Sequence, residues 1–325
     1  MKLCTEPWTS VTIDMNGDIK PCICSDWNDV GTIGNLLRAD LTDIYRSGKL
    51  EAFKSKILEE DYSMCTNVCP YKDHISDKDS SVVDGQKSPT KILLSIDQNC
   101  NLSCASCRTH NIFSTKINSN ASIILNKIYN FYQDQDKAVE IQLDGAGDLF
   151  ASKAYQIFLQ KKFHRNFKFH IITNGNLLTK QKSIIENIKE NITSIDVSLD
   201  AATADTYMKI RGGVFELVKK GIEMCVSQGI KVNLSFVVQS KNYKEMKSCW
   251  ELGLKLRCHS IMFHMVRRWW HIDDTWWREN SIEHLPKKAR QELFQQLSFL
   301  KNTKKTVTEH NIPAYMTGDL YNFKP

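Results

Sequence analysis

Cys100-Asn101-Leu102-Ser103-Cys104-Ala105-Ser106-Cys107 places three cysteines on one short stretch, in a C-x3-C-x2-C spacing. With 11 cysteines in 325 residues, chance produces such a trio about once in a hundred sequences of this composition. Three thiolates this close suit three corners of a cubane iron–sulfur cluster and leave one iron without a protein ligand. A zinc site is the other reading. It asks for a fourth ligand, for which His110 is at hand.

The surroundings of this stretch set the fold. Lys91 to Asp97, before it, is an apolar strand-like run, and a helical pattern from about Ile117 to Tyr132 follows. The alternation continues through strand-like runs at 138–144, 167–173, 194–200, 230–238 and 259–266. Helical periodicity fills 114–133, 151–163, 178–190, 214–228 and 242–255. Alternation of this kind predicts an α/β fold with a parallel sheet. The strand runs end on polar side chains: Asp97, Asp144, Asn174, Asp200, Gln239 and His264. Ligands bind at the C-terminal rim of parallel barrels, and the cysteine stretch falls on that rim. Polar residues also begin ordinary turns, so the rim pattern alone decides nothing. The expectation is a partial (β/α)6 TIM-like barrel over 91–266, with a small cysteine-rich β-hairpin/helix module ahead of it.

Upstream, Cys4, Cys22, Cys65 and Cys69 lie within residues 1–75, with Cys24 as an extra thiol. Val11–Asp14 and Asp18–Lys20 flank Met15-Asn16-Gly17, a hairpin signal because Asn-Gly tolerates positive φ. The hairpin would bring Cys4 and Cys22 toward each other. A helix over Ser47–Glu60, with Leu50, Phe53, Ile57 and Leu58 on one face, would return the chain to Cys65 and Cys69. Four converging thiolates fit a zinc ribbon or a closed cluster. Cys24 reads as a spare buried thiol or a ligand. Residues 76–90 are polar and turn-rich and read as a linker.

The composition is that of an ordinary soluble globular protein, 42% apolar and 25% charged, with a net charge of +6. No signal peptide or membrane span is legible. Many cysteines without an export signal predict a reducing, cytoplasmic setting. No basic–aromatic stripe points to nucleic acid. The positive charge suits an acidic flavodoxin- or ferredoxin-type reductant, and equally a lysine-rich surface.

A three-cysteine loop between the first strand and first helix of an α/β repeat resembles the radical S-adenosylmethionine (SAM) superfamily. Further motifs support the likeness. Leu143-Asp144-Gly145-Ala146-Gly147-Asp148 is similar to the family's glycine-rich segment, with Asp148 and Leu149 where Glu and Pro are usual. The resemblance implies that Gly145, Gly147 and Asp148 hold the SAM amino group. It places Asn174 of Ile172-Thr173-Asn174-Gly175 near the ribose. It gives Ser198 the ribose or carboxylate side, Arg211 the carboxylate, and Val238, within Val237-Val238-Gln239, the adenine. An arginine fork suits a carboxylate; taken alone Arg211 reads as a surface arginine, but within this set of motifs the ligand role is expected. Ser106 departs from the bulky residue usual before the third cysteine.

The Cys4, Cys22, Cys65 and Cys69 block resembles the auxiliary SPASM or Twitch module, placed ahead of the core, and implies a second [4Fe-4S] cluster. By the resemblance, Cys100, Cys104 and Cys107 bind the first [4Fe-4S] cluster, and its open iron chelates SAM. Reductive cleavage would yield a 5′-deoxyadenosyl radical that abstracts hydrogen from a sugar-bearing metabolite or a peptide. The auxiliary cluster would relay an electron, making oxidation or epimerisation the natural outcomes. For epimerisation no hydrogen donor is assigned: Cys225 and Cys249 fall in helical patterns, and Cys258 faces the wrong rim. The reading in a different class is a non-catalytic iron–sulfur electron carrier or a zinc-binding interaction module. The tail, 267–325, opens with four tryptophans in nine residues, Trp269, Trp270, Trp276 and Trp277. These could cap a substrate or pack as core.

Overall fold

The computed structural model describes residues 3–22, 29–65, 69, 88–108, 112–144, 146–269, 271–303, 313–316 and 320. Cys24, His110, Gly145, Trp270 and most of the 76–90 segment lie outside the described residues. The chain divides into two compact units. One is Met1–Asn99 with Ser114–His170, and the other is Cys100–Phe113 with Ile171–Pro325.

The first unit is built on β1 (Ser10–Asp14), β2 (Asp18–Pro21), β3 (Gly34–Asn35), β4 (Lys91–Ser95) and β5 (Val139–Leu143). The hairpin forms as its sequence signals. β1 and β2 pair antiparallel with Val11 opposite Pro21 and Ile13 opposite Ile19. Gly17 takes φ +80 at the turn, which an L side chain would resist. The sequence pattern does not show the other edge of β1. β1 pairs parallel with β4, Ser10 opposite Lys91 through Asp14 opposite Ser95, and β4 pairs parallel with β5. The hairpin is therefore continuous with the sheet that leads into the cysteine loop. Val11, Ile13, Ile19, Ile92 and Leu94 fill its buried face.

Two helices of this unit follow their caps. Ser47 accepts from the Leu50 N–H and opens the helix Gly48–Leu58, which buries Leu50, Phe53 and Ile57. Leu58, expected on that face, is exposed. Asn118 accepts from the Ala121 N–H and opens Ser119–Tyr132, so this helix starts later than 114 and Ile117 is left exposed. The next helix, Lys153–Phe158, is shorter than expected. Beyond it Phe163 packs edge-on against Phe158, Phe167 and Phe169, a geometry worth roughly 0.5–1.5 kcal/mol per pair beyond area burial.

β6 (Phe167–Thr173) begins in the first unit and ends in the second. The second unit carries β7 (Ile192–Ser198), β8 (Val232–Val238), β9 (Ser260–Met265) and β10 (Ala314–Met316), all paired parallel. Alternation decides the two faces. Ile195, Val197, Leu234, Phe236, Val238, Ile261 and Phe263 are buried, whereas Asp196, Ser198, Asn233, Ser235, Val237, Met262 and His264 are half-buried. Helices Lys182–Ile188, Phe215–Ser227 and Met246–Lys255 lie near the expected positions. A further helix, Ala204–Arg211, occupies a stretch that reads as a motif without a helical assignment. Thr203 caps it by accepting from the Thr206 N–H, and Gly212 ends it at φ +71.

The tail forms helices Asp274–Asn280 and Lys287–Lys301, the second burying Leu293, Leu297 and Leu300. Trp269 is exposed, and Trp276 and Trp277 are half-buried, so none of these three is core. Taken together, the protein is a mixed, mostly parallel sheet with flanking helices and a cysteine-rich N-terminal segment. No helix among the described residues is long and apolar enough to cross a membrane.

Candidate functional site

The cysteine stretch begins where β4 ends, and its base is held in the first unit by buried polar groups. Asp97 Oδ1 accepts from the Asn99 backbone N–H at 3.1 Å and from Asn99 Nδ2 at 2.9 Å. The Ser152 hydroxyl donates to Asp97 Oδ2 at 2.6 Å. Asn99 Oδ1 accepts from the Ser114 N–H at 2.6 Å, which closes both ends of the loop onto one amide. Buried polar groups cost free energy unless paired, so this network fixes the chain at Asn99.

The glycine-rich segment meets the same residue. The Asp148 N–H donates to the Asn99 carbonyl at 2.7 Å. A Cβ built on Gly147 would lie 2.1 Å from the Asn99 carbonyl oxygen, a backbone atom that cannot swing aside. Only glycine allows this approach. Asp148 is buried, and one of its carboxylate oxygens accepts from the Phe150 N–H at 3.0 Å.

In the second unit Cys100 and Cys104 are buried with Leu102, and Cys107 is exposed. The Cys100 N–H donates to the Ile112 carbonyl at 2.8 Å, and the Cys107 N–H closes a turn onto the Cys104 carbonyl at 3.0 Å. Burial pushes the Cys104 thiol up, while the Arg211 guanidinium beside it pulls it down and Asp200, Cys107 and Cys100 push it further up. The Cys104 Sγ–H reaches the Arg211 carbonyl at 3.6 Å. Asn174 Nδ2 donates to Cys100 Sγ at 3.7 Å and to Asn101 Oδ1 at 2.9 Å.

Arg211, the last residue of its helix, is held in an ion pair. Its Nη1 donates to Asp200 Oδ2 at 2.5 Å, with side-chain exposures of 13% and 3%. Burial disfavours the charged guanidinium, but Cys104, Asp200 and Tyr207 more than offset that and leave it firmly protonated. Arg211 Nε is buried without a hydrogen-bond partner among the described residues, as is Gln239 Nε2. Asp200 also accepts from the Val237 N–H at 2.6 Å. Asn242 Nδ2 ties the Asp200 and Val237 carbonyls together at 2.9 Å each. Ser198 is half-buried at the end of β7. Val238 is buried on the opposite side of its strand from Val237, and its carbonyl accepts from the Val266 N–H. Asp200, Asn242 and Tyr207, whose hydroxyl accepts from Asn176 Nδ2 at 2.5 Å, belong to this constellation although the sequence motifs assign them no role.

At the N-terminus Cys65 and Cys69 each lie within electrostatic reach of Cys4. Burial, with a further push from Glu6, Cys65 and Cys69, raises the Cys4 thiol to about 11. Cys22 sits at φ +69 just past β2, where its N–H and carbonyl are taken by the Ser10 carbonyl and the Thr12 hydroxyl. No group of three or more His, Cys, Asp or Glu side chains among the described residues stands at metal-holding spacing. The donor set still fits an iron–sulfur centre: three thiols on one short loop, two of them buried, with a fixed cation beside Cys104 that favours its thiolate. Arg211 Nε, without a partner among the described residues, fits a carboxylate ligand.

Comparison with known proteins agrees. Residues 94–249 match the radical SAM superfamily, and residues 4–70 match an iron–sulfur cluster-binding domain, SPASM. A Methanococcus aeolicus protein described as "Probable GTP 3′,8-cyclase" is 30% identical over 179 residues, 52% of this chain and 58% of that protein. The Methanosarcina barkeri Fe-coproporphyrin III synthase is 32% identical over 100 residues, 30% of this chain and 24% of that protein. The crystal structure of Streptococcus suis SuiB bound to S-adenosylmethionine superposes at a TM-score of 0.50 with 14% identity, over 87% of this chain and 64% of SuiB. The matched region thus spans less than two thirds of each of these proteins.

Proposed function

Because this chain carries a radical SAM domain behind an N-terminal SPASM-type iron–sulfur cluster-binding domain, we propose that it is a radical SAM enzyme built on a partial barrel. Its SAM-binding [4Fe-4S] cluster is held by Cys100, Cys104 and Cys107. When bound, the cluster and SAM would supply a 5′-deoxyadenosyl radical by one-electron cleavage of the sulfonium.

The chain's own residues do the rest. Arg211 offers a carboxylate a fixed positive charge, oriented by Asp200, and an Nε–H that has no partner among the described residues. Gly147 lets its segment pack backbone to backbone on Asn99, which sets the position of Asp148. Asp148 and the neighbouring Gly145 go to the amino group, Ser198 to the ribose or carboxylate side, Asn174 to the ribose side, and the β8 end with Val238 to adenine. The observation that carries this reading is Arg211 itself: a permanently charged guanidinium, its side chain 13% exposed, whose backbone carbonyl receives Cys104 and whose Nε has no partner among the described residues. An electron carrier or a zinc module has no use for such a clamp.

The module over 1–75 would hold a second, closed [4Fe-4S] cluster on Cys4, Cys22, Cys65 and Cys69, serving as an electron relay. The core would run over 91–266 after the 76–90 linker, with 267–325 on the substrate side. The substrate is a sugar-bearing metabolite or a peptide, and the outcome oxidation or epimerisation. The curated relatives are named for a nucleotide and a porphyrin, so their names alone do not fix one substrate. Half-buried Asp196, Ser198, Asn233, Ser235 and His264 on one sheet face favour a polar one. A cytoplasmic location and a flavodoxin- or ferredoxin-type reductant complete the proposal.

The test is anaerobic reconstitution with iron and sulfide, followed by dithionite and SAM, assaying 5′-deoxyadenosine. Formation by the wild type and loss in Cys104→Ala supports the reading. No product from a fully loaded wild type, with or without candidate substrates, refutes it.

A further inference from the structure

The Asn174 carboxamide has a defined orientation. Its Oδ1 accepts from the Asn176 backbone N–H at 2.9 Å, so the other end of the amide must be the NH2 group. That nitrogen carries two hydrogens and faces two acceptors: Asn101 Oδ1 at 2.9 Å and Cys100 Sγ at 3.7 Å. Asn174 is 5% exposed and Cys100 8%, so bulk water screens the contact poorly. The three cysteines of the loop therefore have unlike surroundings. Cys100 receives a side-chain N–H, Cys104 points at the Arg211 carbonyl, and Cys107 is exposed.

We propose that Asn174 tunes the iron–sulfur centre by donating an N–H···S hydrogen bond to Cys100. The inference rests on the assignment of Cys100 as a cluster ligand. Hydrogen bonds to cluster sulfurs are among the determinants of reduction potential, as are the groups around metal ligands generally. An N–H dipole aimed at a thiolate favours the form with more negative charge, which is the reduced one. Asn174 thereby makes the centre easier to reduce; the Asn176 N–H fixes the amide, and Asn101 only accepts its second hydrogen. This role belongs to a positioning residue on the sulfur and is distinct from contact with a ribose.

The test is an EPR-monitored redox titration, without SAM, of the reconstituted wild type, Asn174→Leu and Asn174→Ser. Leucine matches the volume and serine retains polarity, but neither can donate from the Nδ2 position. The cluster followed is the one whose reduced signal changes when SAM is added to a parallel sample. Folding is checked by circular dichroism and loading by iron content. The expected result is a shift of the midpoint to more negative potential in both variants, with loading retained, and no such shift in Asn101→Ala. Midpoints equal to wild type would overturn the proposal. So would an equal fall in Asn101→Ala, or failure of both Asn174 variants to fold or load, since Asn174 would then serve structure or assembly. A wild type that loads clusters of which none responds to SAM would instead overturn the assignment of function, and this inference with it.

Discussion

Replacing Asp200 by Asn isolates the charge that holds Arg211. The backbone of Asp200 lies at φ +56, a left-handed conformation that Asp and Asn tolerate better than other side chains, so Asp200→Asn adds no backbone strain. Asn can still accept from the Val237 N–H through Oδ1, the contact now at 2.6 Å. On the other side an NH2 group would confront Arg211 Nη1, which now meets a carboxylate oxygen at 2.5 Å. Breaking a buried ion pair by removing one partner costs about 3–5 kcal/mol, because the remaining charge stays buried. With Arg211 side-chain exposure at 13%, the lower end, about 3 kcal/mol, is expected. Asp200→Ala should cost about 1–2 kcal/mol more, for left-handed strain. The double variant Asp200→Asn/Arg211→Met should cost less than the two single losses combined, since it removes the unpaired charge. The assay is urea denaturation followed by circular dichroism, with SAM binding to the reconstituted variants by calorimetry. A cost below about 1 kcal/mol for Asp200→Asn, the range of an exposed pair, together with unchanged SAM affinity, would refute the argument.

Three further outcomes follow from the geometry. Gly147→Ala should lower stability by about 1–3 kcal/mol through overpacking and weaken SAM binding, because its Cβ would meet the Asn99 carbonyl at 2.1 Å; denaturation and calorimetry read both. His264 is pulled below its ordinary value by burial, with Arg267 acting alike and Asp200 and Asp196 opposing. As pH falls below about 6.5 the unfolded chain takes up that proton before the folded one. Stability should therefore decline with falling pH until the folded imidazole also titrates. His264→Gln should flatten that part of the profile, and an identical slope would count against it. Burial raises the Cys225 and Cys258 thiols to about 12 each and the Cys249 thiol well above its usual value. Iodoacetamide at pH 8 should spare all three in the native protein and label them after unfolding; rapid native labelling seen by mass spectrometry would contradict this.

Much of the fold was legible because local rules set it. Periodicity located strands β4 to β9 and most of the helices between them, and the Asn16-Gly17 turn located the hairpin, whereas the short β3 and β10 carry no such pattern. The parallel pairing of β1 with β4 was not legible, since residues 11 and 92 meet across a long separation that no local pattern encodes. Helix Ala204–Arg211 spans only eight residues, too short for apolar periodicity to mark it. Its Thr203 cap and Gly212 stop were available signals. The polar strand ends turned out to serve two ends at once. Asp97 and Asn174 accept from backbone N–H groups two residues on, and Asp200 accepts from Val237. Ordinary turn chemistry therefore explains part of the rim pattern. The same side chains also orient Ser152, Cys100 and Arg211, which depends on tertiary contacts no spacing could reveal.

The central claim is that the Cys100–Cys107 loop holds a cluster with an iron open to SAM. The most direct measurement is the EPR spectrum of the anaerobically reconstituted, dithionite-reduced protein before and after adding SAM. The account predicts about eight irons per chain, one signal that changes with SAM, and loss of that signal in Cys104→Ala while the auxiliary signal persists. Clusters that load fully yet show no response to SAM, or zinc in place of iron in protein purified without oxygen, would contradict it.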